Sequence, residues 1–173
     1  MIENKYLEEF VKEGKIELFK HRRELLILPN DSGRLNIIVS QAHLFNNILY
    51  LCDSRESKKQ IEDELAKTNV TNITVLTYDE LYDETIGNYD FKYSYIKSFD
   101  LIVCDKIHNL IIFSKQVDYL KYIVCLLFDN AFKYNAKILM MTTEPQYIEE
   151  FQQEMPWANS YHTIELKDNY LKK

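Results

Sequence analysis

The chain has 173 residues, 46% hydrophobic and 28% charged, a balance that fits one soluble, globular domain with a real core and not a disordered chain. Its longest apolar run, residues 122–128, is seven residues, too short to span a membrane, and its charged first twenty residues argue against a secretory signal. A net charge of −6 with pI ≈ 5.3 argues against a non-specific nucleic-acid binder, which needs many phosphate contacts, while leaving room for a local basic patch.

In chain order, residues 1–20 read as an added helix with Tyr6, Leu7, Phe10 and Val11 inward, stopped at Gly14. The remainder, 21–173, reads as a single domain. Residues 25–29 form a short apolar run that Ser32 and Gly33 break. Leu35, Ile38, Val39 and Ala42 then recur at helical spacing. Residues 47–52 are the next strand. Asp53, with Glu56 three residues on, fits an N-capping box for a helix that buries Ile61 and Leu65. Residues 72–76 form a third strand, and 83–98, around Gly87, read as a loop or irregular excursion. Residues 100–104 are a fourth strand. Val117, Leu120, Val124, Leu127 and Ala131 mark a long helix. Residues 137–142 are a fifth strand, Glu144 and Pro145 open a helix with Ile148 and Phe151 inward, and 163–166 form a last strand.

Near-continuous apolar strands alternating with helices predict an α/β fold, a parallel sheet covered on both faces. In such folds ligands bind at the carboxyl ends of the strands. Cys52, Cys104 and Cys125 lack metal-ligand spacing and read as core thiols of a reducing cytosol, so no metal site is expected. Abundant Lys, Tyr, Ile and Asn with only three Gly suggest an AT-rich genome of viral, phage or low-GC bacterial kind.

Residues 100–110 read Asp-Leu-Ile-Val-Cys-Asp-Lys-Ile-His-Asn-Leu: a buried strand delivers Asp105, Lys106 follows, and His108 comes three residues after the Asp. Residues 28–35 read Leu-Pro-Asn-Asp-Ser-Gly-Arg-Leu, and 141–145 read Met-Thr-Thr-Glu-Pro at the end of the fifth strand. With 49–55 and 74–81, these stretches resemble, in order and spacing, the motifs of the first RecA-like domain of superfamily 2 (DEAD/DEAH) helicases. The resemblance covers roughly residues 18–166. It implies a three-layer RecA-like, P-loop NTPase-like sheet with helices on both faces.

In that family motif I is Gly-x-x-x-x-Gly-Lys-Thr, whose amides cradle phosphates, whose Lys reaches the β- and γ-phosphates and whose hydroxyl binds Mg²⁺. Here Gly33 is kept, Leu28 stands at the first Gly, Pro29 removes an amide donor, Arg34 replaces Lys, and Leu35 replaces the hydroxyl. Motif II keeps Asp105 and His108 and carries Lys106 where the water-positioning Glu belongs. In motif III, Glu144 stands at the last hydroxyl. The resemblance thus marks Gly33, Arg34, Asp105, Lys106 and His108 as a degenerate nucleotide site with no catalytic residue and no cofactor, weak ATP binding at the helix N-terminus being the residue of function. The plainer readings are a strand-to-helix turn at Gly33, a helix cap or solvated strand end at Asp105, a packing role for His108 and a helix cap at Thr143.

The stretches at 49–55 and 74–81 touch the nucleic-acid backbone in helicases. Here Arg55, Lys58 and Lys59 could meet phosphates, with Tyr78 or Tyr82 for stacking. The plainer reading is a solvated helix face, its charge diluted by Asp53, Glu56, Asp79 and Glu80. The triplet His21-Arg22-Arg23 reads as a basic surface, and 122–128 as a core helix or a partner-facing patch. Functional motors use two RecA-like domains, and 173 residues leave no room for a second. The expected function is a catalytically inactive helicase-like domain, not an enzyme, serving protein interaction or regulation. Its setting would be cytoplasmic, or inside a host cell if viral or mobile-element encoded. A homodimer or protein partner is expected ahead of nucleic acid, and no membrane. The alternatives are a nucleic-acid-binding accessory domain of a replication, repair or transcription complex and, third, an ATPase completed in trans.

Overall fold

A computed structural model describes Val11 and residues 17–29, 33–85, 93–129, 136–154 and 161–166. The expected N-terminal helix (Tyr6, Leu7, Phe10, Gly14), the turn at 30–32, Gly87 and Ala131 lie outside those residues. Val11 alone of that first helix is described; it is helical and packs against the core.

Among the described residues six strands alternate with helices: β1 (Arg23–Ile27), α1 (Arg34–Gln41), β2 (Ile48–Cys52), α2 (Arg55–Leu65), β3 (Ile73–Thr77), α3 (Tyr78–Thr85), α4 (Tyr93–Lys97), β4 (Leu101–Cys104), α5 (Ile107–Ser114), α6 (Asp118–Asp129), β5 (Lys137–Thr142), α7 (Pro145–Glu154) and β6 (His162–Glu165). The sheet order is β3-β2-β4-β5-β1-β6, and every pairing is parallel. All residues of β2 and β4 are buried, as strands covered on both faces must be.

Two cores flank the sheet. Leu35, Ile37, Ile38 and Ile61 of α1 and α2 pack on one face. Leu81, Ile107, Leu110, Leu120, Ile123, Ile148 and Phe151 of α3, α5, α6 and α7 pack on the other. The chain therefore leaves β1 toward one face and β4 and β5 toward the other. That divergence opens a crevice at the carboxyl ends of β1, β5 and β4, where the motif residues fall.

Five local expectations change. Residues 83–85 complete α3, and Tyr93–Lys97 is a short helix, so 83–98 is not one loop. A further helix, α5, fills the space before α6. Ser54, not Asp53, caps α2: its side chain accepts the Ser57 N–H. The basic triplet divides, with His21 and Arg22 exposed and Arg23 buried. In 122–128, Ile123, Val124, Leu126 and Leu127 are buried, while Tyr122 and Cys125 are exposed, so Cys125 is not a core thiol. Among the described residues no helix is long and apolar enough to cross a membrane.

Candidate functional site

Gly33 precedes α1 with φ 77°, a left-handed conformation that a side chain would oppose. It turns the chain so that Arg34, the first residue of α1, is buried at the sheet end. β5 lies between β1 and β4. The Arg34 guanidinium bridges that gap: its Nη1 donates to Asp105 Oδ1 in a buried ion pair. The second carboxylate oxygen, Oδ2, accepts the Tyr50 hydroxyl at 3.1 Å. The backbone of Asp105 is held as well. Its N–H donates to the Leu51 carbonyl at 2.9 Å, and its carbonyl accepts the Tyr78 hydroxyl at 2.8 Å. Burial, and then the Asp105 charge, pushes the Tyr50 hydroxyl well above its ordinary pKa. Burial does the same for Tyr78. Both therefore stay protonated, and each donates a hydrogen bond to Asp105.

Lys106 follows with φ 50°, again left-handed, and caps α5. Its Nζ lies 3.9 Å from Asp53 Oδ2. Asp53 also accepts from Ser57 Oγ and Asn109 Nδ2, each at 2.8 Å. Burial alone would raise the Asp53 pKa, but these two hydrogen bonds and the Lys106 ammonium hold it below its ordinary value. A second network joins β5 to α5: His108 Nδ1 and Thr142 Oγ1 are 2.9 Å apart, Thr142 Oγ1 accepts the Glu144 N–H at 3.0 Å, and His108 Nε2 lies 3.6 Å from Glu144 Oε1. Thr142 has no exposed surface, so this network ties elements together and offers no reactive hydroxyl.

A cavity of about 370 Å³ opens beside the ion pair, lined by Gly33, Arg34, Tyr50, Asp105 and Lys106 at one end and by Ser57, Gln60 and Glu64 of α2 at the other. Four of the five residues expected at the nucleotide site are thus gathered. His108 instead faces Thr142 and Glu144.

Of the residues expected to touch nucleic acid, Arg55, Lys58 and Lys59 share α2 and Tyr78 opens α3. Arg55 and Lys59 are exposed on α2. Lys58 is committed to Glu80, donating to both carboxylate oxygens at 3.0 and 2.8 Å. Tyr78 is only 4% exposed, with its hydroxyl turned to Asp105, and offers no face to a stacked base. Sequence reasoning did not place Tyr50, Ser57, Asn109 or Thr142 in these networks. Tyr50 left one signal: it is the only hydroxyl in the otherwise apolar β2, and a buried phenol needs a partner.

No family model matches the chain, and no curated protein matches it. Solved structures do. A hypothetical ATP-dependent RNA helicase from Sulfolobus tokodaii aligns with a TM-score of 0.52 at 16% identity, over 94% of this chain and 57% of that one. The DUF1998 helicase MrfA bound to DNA aligns with a TM-score of 0.52 at 14% identity, over 98% of this chain and 27% of that one. This chain thus spans little more than half of the first protein and about a quarter of the second. Together with the all-parallel sheet and its two helical layers, these likenesses show that the chain has a RecA-like α/β fold of the kind seen in those helicase structures.

Proposed function

We propose that the chain is a helicase-like domain that does not turn over ATP and serves as a protein-interaction or regulatory module. The observation that carries this is the state of Asp105: both carboxylate oxygens are engaged by the chain's own Arg34 and Tyr50. A Mg²⁺ ion at that carboxylate would compete with the buried Arg34 guanidinium, a cation already in place, for the same charge. Leu35 supplies no oxygen to the ion in return. The donor set therefore does not fit Mg²⁺-ATP. Lys106, as an ammonium beside Asp53, cannot accept a proton from water. A missing general base alone lowers a rate by ~10²–10⁴-fold.

The nucleic-acid reading has less support, because Lys58 is neutralised by Glu80 and Tyr78 is buried. The test is a calorimetric titration with millimolar Mg²⁺-ATP, paired with a phosphate-release assay on the same preparation. We expect neither saturable heat nor phosphate. Metal-dependent phosphate release that Asp105→Asn abolishes in folded protein would overturn the proposal.

A further inference from the structure

Tyr122 is 61% exposed, more than any other large hydrophobic among the described residues. It stands one turn from Tyr119 on α6, and Tyr119 meets Tyr82 of α3 with ring centroids 4.8 Å apart. The Tyr119 hydroxyl donates to Asp79 Oδ1 at 2.7 Å, which fixes the ring against α3. The half-buried Tyr82 and Tyr119 rings, so held, have already lost rotamer freedom, and the exposed Tyr122 stands beside them.

Charge says what covers it. α3 reads Tyr-Asp-Glu-Leu-Tyr-Asp-Glu-Thr, four carboxylates and no Lys or Arg. Glu80 turns to Lys58, but Asp79, Asp83 and Glu84 are exposed. Asp118 at the start of α6 is 93% exposed and pairs only locally, with Lys121. Phosphate backbones are repelled here. A guanidinium fits, because one planar group stacks on a tyrosine face and reaches a carboxylate with the same atoms, whereas an ammonium is a hydrated point charge.

We propose that the α3–α6 face, centred on Tyr82, Tyr119 and Tyr122, is a docking surface for an arginine-bearing segment of a protein partner. This names the partner chemistry of the interaction module and rests on that reading.

The probe is a synthetic peptide alternating Arg with Ser, titrated into the full chain at about 50 and about 200 mM salt, with Lys-for-Arg and oligonucleotide comparators. Binding should be saturable and salt-sensitive, with the Lys peptide and the Tyr122→Ala variant each roughly five-fold weaker. Asp83→Asn with Glu84→Gln should weaken binding and flatten its salt dependence. Glu56→Gln with Asp63→Asn, exposed on α2 across the sheet, should change nothing. Tyr122, Asp83 and Glu84 are exposed, so these variants fold. No binding, equal affinity for Arg and Lys peptides, equal loss in the α2 control, or competition by the oligonucleotide overturns the proposal. A chain that releases phosphate from ATP yet binds the Arg peptide through Tyr122 would remove the inactive-domain reading and leave this surface standing. A chain silent toward ATP that ignores the peptide would do the reverse.

Discussion

Asp105 is 8% exposed, and a carboxylate so nearly removed from water keeps its charge only if that charge is answered. Arg34 answers it from a residue 71 positions away, and the Tyr50 hydroxyl takes the other oxygen. Each charge offsets part of the desolvation cost of the other. Removing one partner strands the other. Asp105→Asn should therefore lose about 3–5 kcal/mol in urea unfolding, because a buried guanidinium is left facing a neutral amide. Replacing both, Arg34→Met with Asp105→Leu, should cost less than either single change. A loss below about 1 kcal/mol for Asp105→Asn would mean that water reaches the pair and that it is worth no more than a surface bridge. Gly33, Arg34, Asp105 and Lys106 were legible as a group because the motif spacing places them at strand ends. The Arg34–Asp105 bond itself was not, since no local pattern says which strand ends are neighbours.

At the scale of elements, the turn from β2 into α2 shows how near-equivalent residues divide their tasks. Asp53 and Ser54 are both good N-cap types, and spacing to Glu56 favoured Asp53. Ser54 takes the cap, with φ −152° and its Oγ 3.1 Å from the Ser57 N–H, and this releases Asp53 to bind Ser57 Oγ, Asn109 and Lys106. The two residues should separate by pH. Ser54→Ala should cost about 1 kcal/mol at any pH, the usual worth of an N-cap. Asp53 is held below its ordinary pKa, so the fold favours its charged form. Its contribution is full above the unfolded carboxylate value and is lost as pH falls through the folded one. The gap in urea midpoint between the parent and Asp53→Asn should be clear at about pH 7 and should narrow steadily as pH falls below the ordinary carboxylate range. A gap that persists unchanged in acid would show that the amide loses packing and not charge. Other elements escaped the sequence for a related reason. Ile107, Leu110, Ile111, Ile112 and Phe113 give α5 too little polar contrast to show a helical period, and its cap is a left-handed Lys106, a residue type with no cap preference. The acidic α3 has only Leu81 as a fully buried aliphatic anchor, so its apolar period is equally faint.

For the molecule as a whole, six strand-like runs were enough to foretell a parallel sheet with helices on both faces, because only that arrangement buries near-continuous apolar strands. Their order was beyond reach: apolar runs define strands, not neighbours, and β1 sits between the last two strands of the chain. That order decides where rigidity lies. β2 and β4 are buried throughout and β5 at all but its first residue, while β6 at one edge is mostly exposed and β3 at the other is mixed. Asp53, Asp105 and Thr142 stand at the carboxyl ends of β2, β4 and β5, three of the four interior strands, so the gathered polar groups sit on a stiff frame. Amide hydrogen exchange should be slowest in β2, β4 and β5 and faster by orders of magnitude in β6, which among the described residues pairs on one side only. Lys115, at the end of α5 and bridged to Glu150 and Glu154 of α7, lies on the helical layer and should exchange with its helix, independently of β6. If all six strands exchanged at one rate, the sheet would open only as a unit, and the central frame would hold the Arg34–Asp105 pair no more firmly than the edge does. A graded pattern, with the β4 amides the last to exchange, would place that pair on the part of the protein that opens only when the whole fold is lost.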